Sequence, residues 1–280
     1  LLASQVAGLK LNTAFTQGSI EGGTILIVEA EHKLISGSVN FSNTQSEELG
    51  RQLGVIQTTI NSPFGYGESL TAFGLARPTI KGMKGTGSSV TIRGGGLSFL
   101  YPLGDDGLKT NLSYSESMTR PGGDIASLGI ESNMKSGSFG ITYPLILRKD
   151  LSWTLRGNIS WIDELQQTNT TGVDQIISHD RLTSLRIGLS FFGCPLGCVY
   201  FDSELSRGLD IASRSASEAV DIPLSRTSGT SQYHHFRVNS SYSFNVFDNY
   251  LMKIGFGGQY TDDALLNSEQ STVIGMDRIS

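Results

Sequence analysis

A chain of 280 residues is long enough for one large barrel or two ordinary domains, and 34 glycines, 7 prolines, 17% charged residues and a mean hydropathy of -0.08 leave no region polar enough to be disordered. No run approaches the ~18 consecutive apolar residues of a membrane-spanning helix, so a membrane role has to be carried by strands. With 21 basic against 26 acidic residues, net -5, and no basic helix or stripe, the chain has no footprint for nucleic acid.

The opening residues, LLASQVAGLK, carry neither an initiator Met nor a charged, apolar and small-residue signal layout, so a targeting peptide, where one exists, lies upstream. Strands are predicted at 9–16 and 24–31, joined by FTQGSIEGG, whose glycines suit a turn. They read as the end of a small domain. From His32 the strands lengthen to about ten residues or more, above the soluble mode of roughly five or six. The chain is therefore divided into 1–31 and 32–280.

In the second part strands are predicted at 33–43, 51–61, 68–77, 89–102, 108–118, 127–143, 151–166, 176–193, 198–206, 231–247 and 250–261. Compact turns at PFGYG, GDDG, LRKD, CPLG and FDN alternate with longer polar connections such as IKGMKGTG, RPGGDIA, QTNTTGVDQ and GLDIASRSASEAVDIPLSRTSGT. Short and long connections alternate in this way when every second one lies on the periplasmic side of a membrane barrel. Tyr-Pro-Leu precedes two of the turns and Pro-Leu a third, placing Pro102, Pro144 and Pro195 about one hairpin apart. A period of about 45 residues also fits propeller blades, but no Gly-His or Trp-Asp signature accompanies it.

The stretch 137–161, GSFGITYPLILRKDLSWTLRGNISW, shows the pattern most clearly. Phe139, Ile141 and Tyr143 alternate with Ser138, Gly140 and Thr142, then Arg148, Lys149 and Asp150 turn the chain. On the return strand Trp153, Leu155, Gly157, Ile159 and Trp161 share one face, and Ser152, Thr154, Arg156, Asn158 and Ser160 the other. Eight residues at about 3.3 Å rise and roughly 40° tilt cover on the order of 20 Å, close to the apolar band of about 25 Å between aromatic girdles. A half-buried strand of a soluble sandwich gives the same alternation in a single hairpin.

With the apolar face towards lipid, the interior receives Arg93, Lys109, Arg156, Arg186, Arg237 and Lys253, with Asp202, Glu204 and many Ser, Asn and Gly. These six basic residues are the pore-lining candidates. Two places break the alternation: Val90 and Ile92 are even while Leu97, Phe99 and Tyr101 are odd, and a bulge at Gly94, Gly95 and Gly96 is expected to restore the face. A similar switch is expected beside Gly137, between Ile130 and Phe139.

Catalytic signatures are missing. His32, His179, His234 and His235 stand in no recognisable nucleophile context, and GxSxG, HExxH and the Walker glycine loop are absent. Adjacent His234 and His235 must point to opposite faces of a strand and cannot share a metal there. An esterase built from scattered strand residues is the enzymatic rival, and no cofactor is expected. Cys194 and Cys198, in GCPLGC, form either a small disulfide staple in an oxidising space or two free thiols. For zinc they supply only half a site.

The run HKLISGSVNFSNTQSEELGRQLGVIQTTINSPFGYGESL, at 32–70, resembles the opening barrel strands of the TpsB transporters of two-partner secretion, the haemolysin and adhesin exporters of Gram-negative outer membranes of ShlB/FhaC/HecB type. Members tend to show Gly-x-Val, an Asn near the end of the first strand, Gly-Arg opening the second, and Asn-Pro-x-Gly-x-Gly-Asp-x-Leu at the first periplasmic turn. Gly37, Val39, Asn43, Gly50, Arg51, Asn61, Pro63, Gly65, Gly67 and Leu70 stand in those places. Ser62 is an insertion in that pattern, Glu68 replaces its aspartate, and Gln45 occurs where a glycine is usual. LSFLYPLGDDGLKTNLSYS looks like the family's Pro-Leu-Gly hairpin, and LLNSEQSTVIGMDRIS like the run leading to its Val-Arg-Gly-Tyr loop.

The resemblance covers most of residues 9–280. It implies an all-β fold, a transmembrane antiparallel β-barrel of sixteen strands of which about eleven are present, cut in the plug loop. Residues 1–31 would be the end of the second periplasmic POTRA domain, which receives the exoprotein by strand-like pairing. The implied function is translocation of a large TpsA-like exoprotein across the outer membrane, by a monomer surrounded by lipid, without enzymatic activity or nucleic acid. The alternatives are an outer-membrane barrel assembly factor of the same superfamily and a soluble β-propeller or sandwich binding module.

Overall fold

The computed structural model describes residues 6–20, 22–78, 90–170, 172–215, 221–247 and 250–270. The connection expected at 80–87, the strand start at 89, the centre of the FDN turn and the run beyond 270 lie outside these residues.

Strands β1 (Leu9–Gln17) and β2 (Thr24–His32) pair in full antiparallel register and form a two-stranded sheet by themselves. Eleven further strands form the second sheet: β3 (Ile35–Ser42), β4 (Leu53–Asn61), β5 (Ser69–Ala76), β6 (Thr91–Leu103), β7 (Leu108–Arg120), β8 (Ile130–Leu147), β9 (Leu151–Thr168), β10 (Gln175–Gly193), β11 (Cys198–Leu209), β12 (His234–Phe247) and β13 (Tyr250–Tyr260). They run antiparallel, each strand beside its sequence neighbours, with β3 and β13 at the edges. All eleven strands predicted between 33 and 261 are present. Short turns, as at 104–107, 148–150 and 194–197, gather at one end of the sheet, and the longer connections at the other.

Cross-strand register assigns every side chain to one of two faces. Val39, Ile56, Leu97, Leu112, Phe139, Ile159, Leu185, Leu205, Tyr242 and Phe256 share one face and are exposed. That face is apolar and, among the described residues, nothing packs over it. The other face is built from hydroxyls and charges. Directly opposed hydroxyls bridge its strands at Thr59–Thr71 (2.9 Å), Ser113–Ser138 (2.7 Å), Ser115–Ser136 (2.8 Å) and Ser160–Ser184 (3.0 Å). These rungs satisfy a polar surface without charge.

The bulge expected at Gly94–Gly96 is absent. β6 pairs with β7 without interruption from Thr91 to Leu103, and β8 with β7 without a shift at Gly137. Register shifts fall instead at Pro144/Ile146, Ile176/Ser178 and Asn245/Phe247. Pro144 has no N–H to give to a ladder, which suits a bulge. The alternation breaks at 90–99 and 130–139 for a different reason: the two faces exchange polarity towards the loop end. There the formerly polar face carries Ile92, Ile130, Ile162 and Leu182, whereas the formerly apolar face carries Arg93, Glu116, Lys135, Asp163 and Arg181. Arg93 is thus corrected from interior to exterior, on the face of Leu97 and Phe99.

The loop end has its own small core. Residues 221–233 and 261–270 fold against β10, burying Leu182, Leu224, Tyr233, Leu265 and Leu266. Ser225 N–H donates to Asp180 (2.8 Å), Thr230 N–H to the Ala264 carbonyl (2.9 Å), and the Arg226 guanidinium to the Leu265 carbonyl (3.1 Å). A side chain on Gly208 would strike the Ser231 carbonyl at 1.8 Å, so only glycine lets the loop return this close to β11.

Candidate functional site

The strand register brings together three of the six predicted basic residues in one line. Lys109, Thr142, Arg156, Gly188, Glu204, Arg237 and Gln259 are successive cross-strand neighbours on the polar face. Arg186 lies one pleat from this line, towards the loop end. Lys253 shares the face but sits near the turns, opposite Ser243. Arg93 is on the far side of the sheet.

The bases are matched by acids that come from other elements. Arg156 Nη1 donates to Asp202 Oδ2 at 2.7 Å, which also accepts from Ser190 Oγ at 2.7 Å. A Cβ on Gly188 would stand 2.8 Å from Arg156 Nη2, so a glycine leaves the guanidinium its space. Glu204 lies between Arg186 Nε at 3.8 Å and Arg237 Nη1 at 3.9 Å. A further acid is a residue that the sequence did not single out: Arg186 Nη2 donates to Glu269 Oε1 at 2.5 Å. Glu269 is only 2% exposed.

Glu269 belongs to a short 3-10 turn, Asn267–Glu269, in the segment after β13. Gln259 Nε2 donates to its carbonyl at 3.1 Å, and His235 Nδ1 stands 3.9 Å from Oε2. The segment therefore reaches down the polar face to the depth of Arg186, between the levels of Trp161 and Trp153. No sequence signal pointed to Glu269, because its partner is 83 residues away and the segment has no strand alternation.

The turn at 62–68 is a second polar cluster. Glu68 is fully buried, and its carboxylate accepts from the backbone N–H of Tyr66 at 2.9 Å and from that of Phe64. Burial presses this carboxyl towards its neutral form, but the backbone N–H groups of Phe64, Glu68 and Tyr66 hold it below the ordinary carboxylate range. Ser62 Oγ accepts from Gly67 N–H at 2.9 Å, so the inserted serine has a place in the turn. Asn61 Nδ2 donates to the Lys33 carbonyl at 2.9 Å, and Lys33 N–H donates to the Gly8 carbonyl at 2.9 Å. These bonds join the two-stranded sheet to the first strands of the large one.

Cys194 and Cys198 are disulfide-bonded across the β10–β11 turn, with Cα atoms 4.1 Å apart. Among the described residues no group of three or more His, Cys, Asp or Glu is arranged to hold a metal. His234 is exposed and His235 buried, as opposite faces of one strand require.

A model of the haemolysin secretion/activation protein family ShlB/FhaC/HecB matches residues 21–279. The chain belongs to that family. Two solved structures share its fold. CdiB from Escherichia coli superposes with a TM-score of 0.73 at 18% identity, covering 94% of this chain and 48% of that one. CdiB from Acinetobacter baumannii gives 0.62 at 13% identity, covering 95% and 46%. The chain thus spans about half the length of the structures it matches. Among curated proteins no relative matches. Membership places the sheet among outer-membrane β-barrels of two-partner secretion.

Proposed function

We propose that this chain is part of an outer-membrane transporter that passes a secreted TpsA-like exoprotein through its polar lumen, without enzymatic chemistry. The observation that carries this reading is a wall of eleven strands whose lumen face is lined with opposed hydroxyls and balanced charges, and against which the Glu269 segment folds. An extended polypeptide moving along the polar stretch of such a wall meets hydrogen-bonding partners from strand to strand. Lys109, Arg156, Arg186, Arg237 and Lys253 are its pore-lining basic residues, and Arg93 is withdrawn from that set.

In this reading the short turns and the β1–β2 hairpin, the end of a POTRA domain over residues 1–31, face the periplasm, and the long connections face outward. Charge neutralisation in the lumen, where Asp202, Glu204 and Glu269 meet Arg156, Arg186 and Arg237, supports transport of a chain whose own charge varies along its length. Deleting the gene is expected to leave a large adhesin or haemolysin trapped in the periplasm. Normal surface delivery of that protein in the deletion strain overturns the proposal.

A further inference from the structure

We infer that Asn61 is a positioning residue for the exoprotein: it clamps the base of the β1–β2 hairpin to the polar face and so fixes the direction in which that hairpin leaves the large sheet. The inference rests on the transport reading above, in which the hairpin belongs to the domain that receives the exoprotein. Only Lys33 and Leu34 connect β2 to β3, and a link of two residues between strands is where a hinge is expected. Here the link is tied down. Lys33 N–H donates to the Gly8 carbonyl (2.9 Å), one rung beyond the Leu9–His32 pair. Asn61 takes both carbonyls of the link, its Nδ2 donating to Lys33 (2.9 Å) and its backbone N–H to Leu34 (2.7 Å).

The clamp sits on the polar side of the sheet. Asn61 shares a face of β4 with Thr59, whose hydroxyl meets that of Thr71, and the same Nδ2 also donates to Ser36 Oγ (3.1 Å). The Asn61 side chain is buried, and Gly8 lies directly against it: a Cβ on Gly8, at φ +73°, would stand 2.6 Å from Asn61 Cβ and 2.5 Å from the Lys33 carbonyl. Two residues earlier, Val6 approaches Gly67 beside Pro102, so the segment entering β1 runs along the turn end of the sheet between Asn61 of β4 and Pro102 of β6. The turn that follows Asn61 is itself held by Ser62 and Glu68. A hairpin fixed in this way presents whatever it holds beside the end of the polar wall, whereas one swinging on a free link dilutes it over the volume it sweeps.

The test measures, by pulsed electron spin resonance on the full-length transporter in detergent, the distance between nitroxides at Ser19→Cys in the hairpin turn and Asp105→Cys in the β6–β7 turn. The two native cysteines are bonded to each other and take no label. Wild type is expected to give one narrow distribution and Asn61→Ala a broad one. Gly8→Ala, which presses on the clamp from the hairpin side, should broaden it likewise and keeps the test decisive where Asn61→Ala does not fold; a heat-dependent electrophoretic shift certifies folding. In cells, delivery of the exoprotein identified by the gene deletion should fall about tenfold in both variants, while the purified variants bind that exoprotein as wild type does. A broad distribution in wild type, or an unchanged one in the variants, overturns the clamp. Normal delivery despite a broadened distribution, or binding lost in step with delivery, overturns the positioning role. Delivery that continues in the deletion strain sinks the transport reading instead and leaves the distance measurement standing.

Discussion

Two sets of opposite charges lie on the two sides of the same strands, and they are held in opposite ways. On the polar face, Arg186 and Glu269 meet at low exposure, joined to Glu204, Arg237 and Ser160, and the acid arrives from a distant segment. On the opposite face, Glu116, Lys135, Asp163 and Arg181 follow one another directly across four strands. The first set fixes a fold-back that the strands alone do not specify. The second set adds little to a register already set by backbone ladders. What differs is desolvation: a charge taken from water depends on its partner, and one left in water does not.

Breaking the buried pair is the sharpest way to separate the two. Arg186→Ala or Glu269→Ala leaves an uncompensated buried charge and should cost about 3–5 kcal/mol of local stability. Hydrogen exchange over 261–270 in the detergent-solubilised full-length protein reads it as protection falling by two orders of magnitude or more. Replacing both residues by Met should restore most of that protection, because the burial penalty disappears with the charges. Protection that survives either single replacement would mean that the apolar contacts of Leu265 and Leu266 hold the segment alone.

Glu68 sharpens the comparison, being a buried carboxylate held by backbone N–H groups instead of a guanidinium. Its folded-state acidity is stronger than in the unfolded chain, so it stabilises the turn above the ordinary carboxylate range and loses that contribution as pH falls through its lowered value. Wild type should therefore be more heat-stable than Glu68→Gln at pH 7, with the difference shrinking on titration towards pH 3. A difference that is constant with pH would assign the effect to shape and not to charge.

How much of this could be read from the chain follows the same division. Alternation at 139–143 and 153–161 gave the hairpin, its faces and, by extension, all eleven strands, since a period of two is a local property. The exchange of polarity at the loop end was legible only as a disturbance. Gly94–Gly96 between the two phases points to a bulge, yet a glycine run can stay in an unbroken ladder, as this one does. The physical cause is a change of surroundings on the polar face, from open wall to covered loop end, which Val90 and Leu182 reveal by being buried. Glu269 was invisible because its role depends on a fold-back, whereas Glu68 was visible as the replacement of an aspartate.

The smallest effect is expected on the row across the opposite face. Asp163 takes part in two contacts, Arg181 Nε at 3.3 Å and His179 Nε2 at 2.7 Å, which is as many as any acid in that row. All three residues are nevertheless partly open to solvent, and backbone pairing already fixes their places: Arg181 directly opposite Asp163, and His179 opposite Leu165, two residues along. Asp163→Asn should change global stability by only about 0–1 kcal/mol, and by less at high salt, because water and ions replace the lost partner. Denaturant unfolding of the full-length protein at low and high ionic strength measures both terms. A loss approaching that of Glu269→Ala, insensitive to salt, would show that the row is shielded from water and that the two sides of the wall are alike.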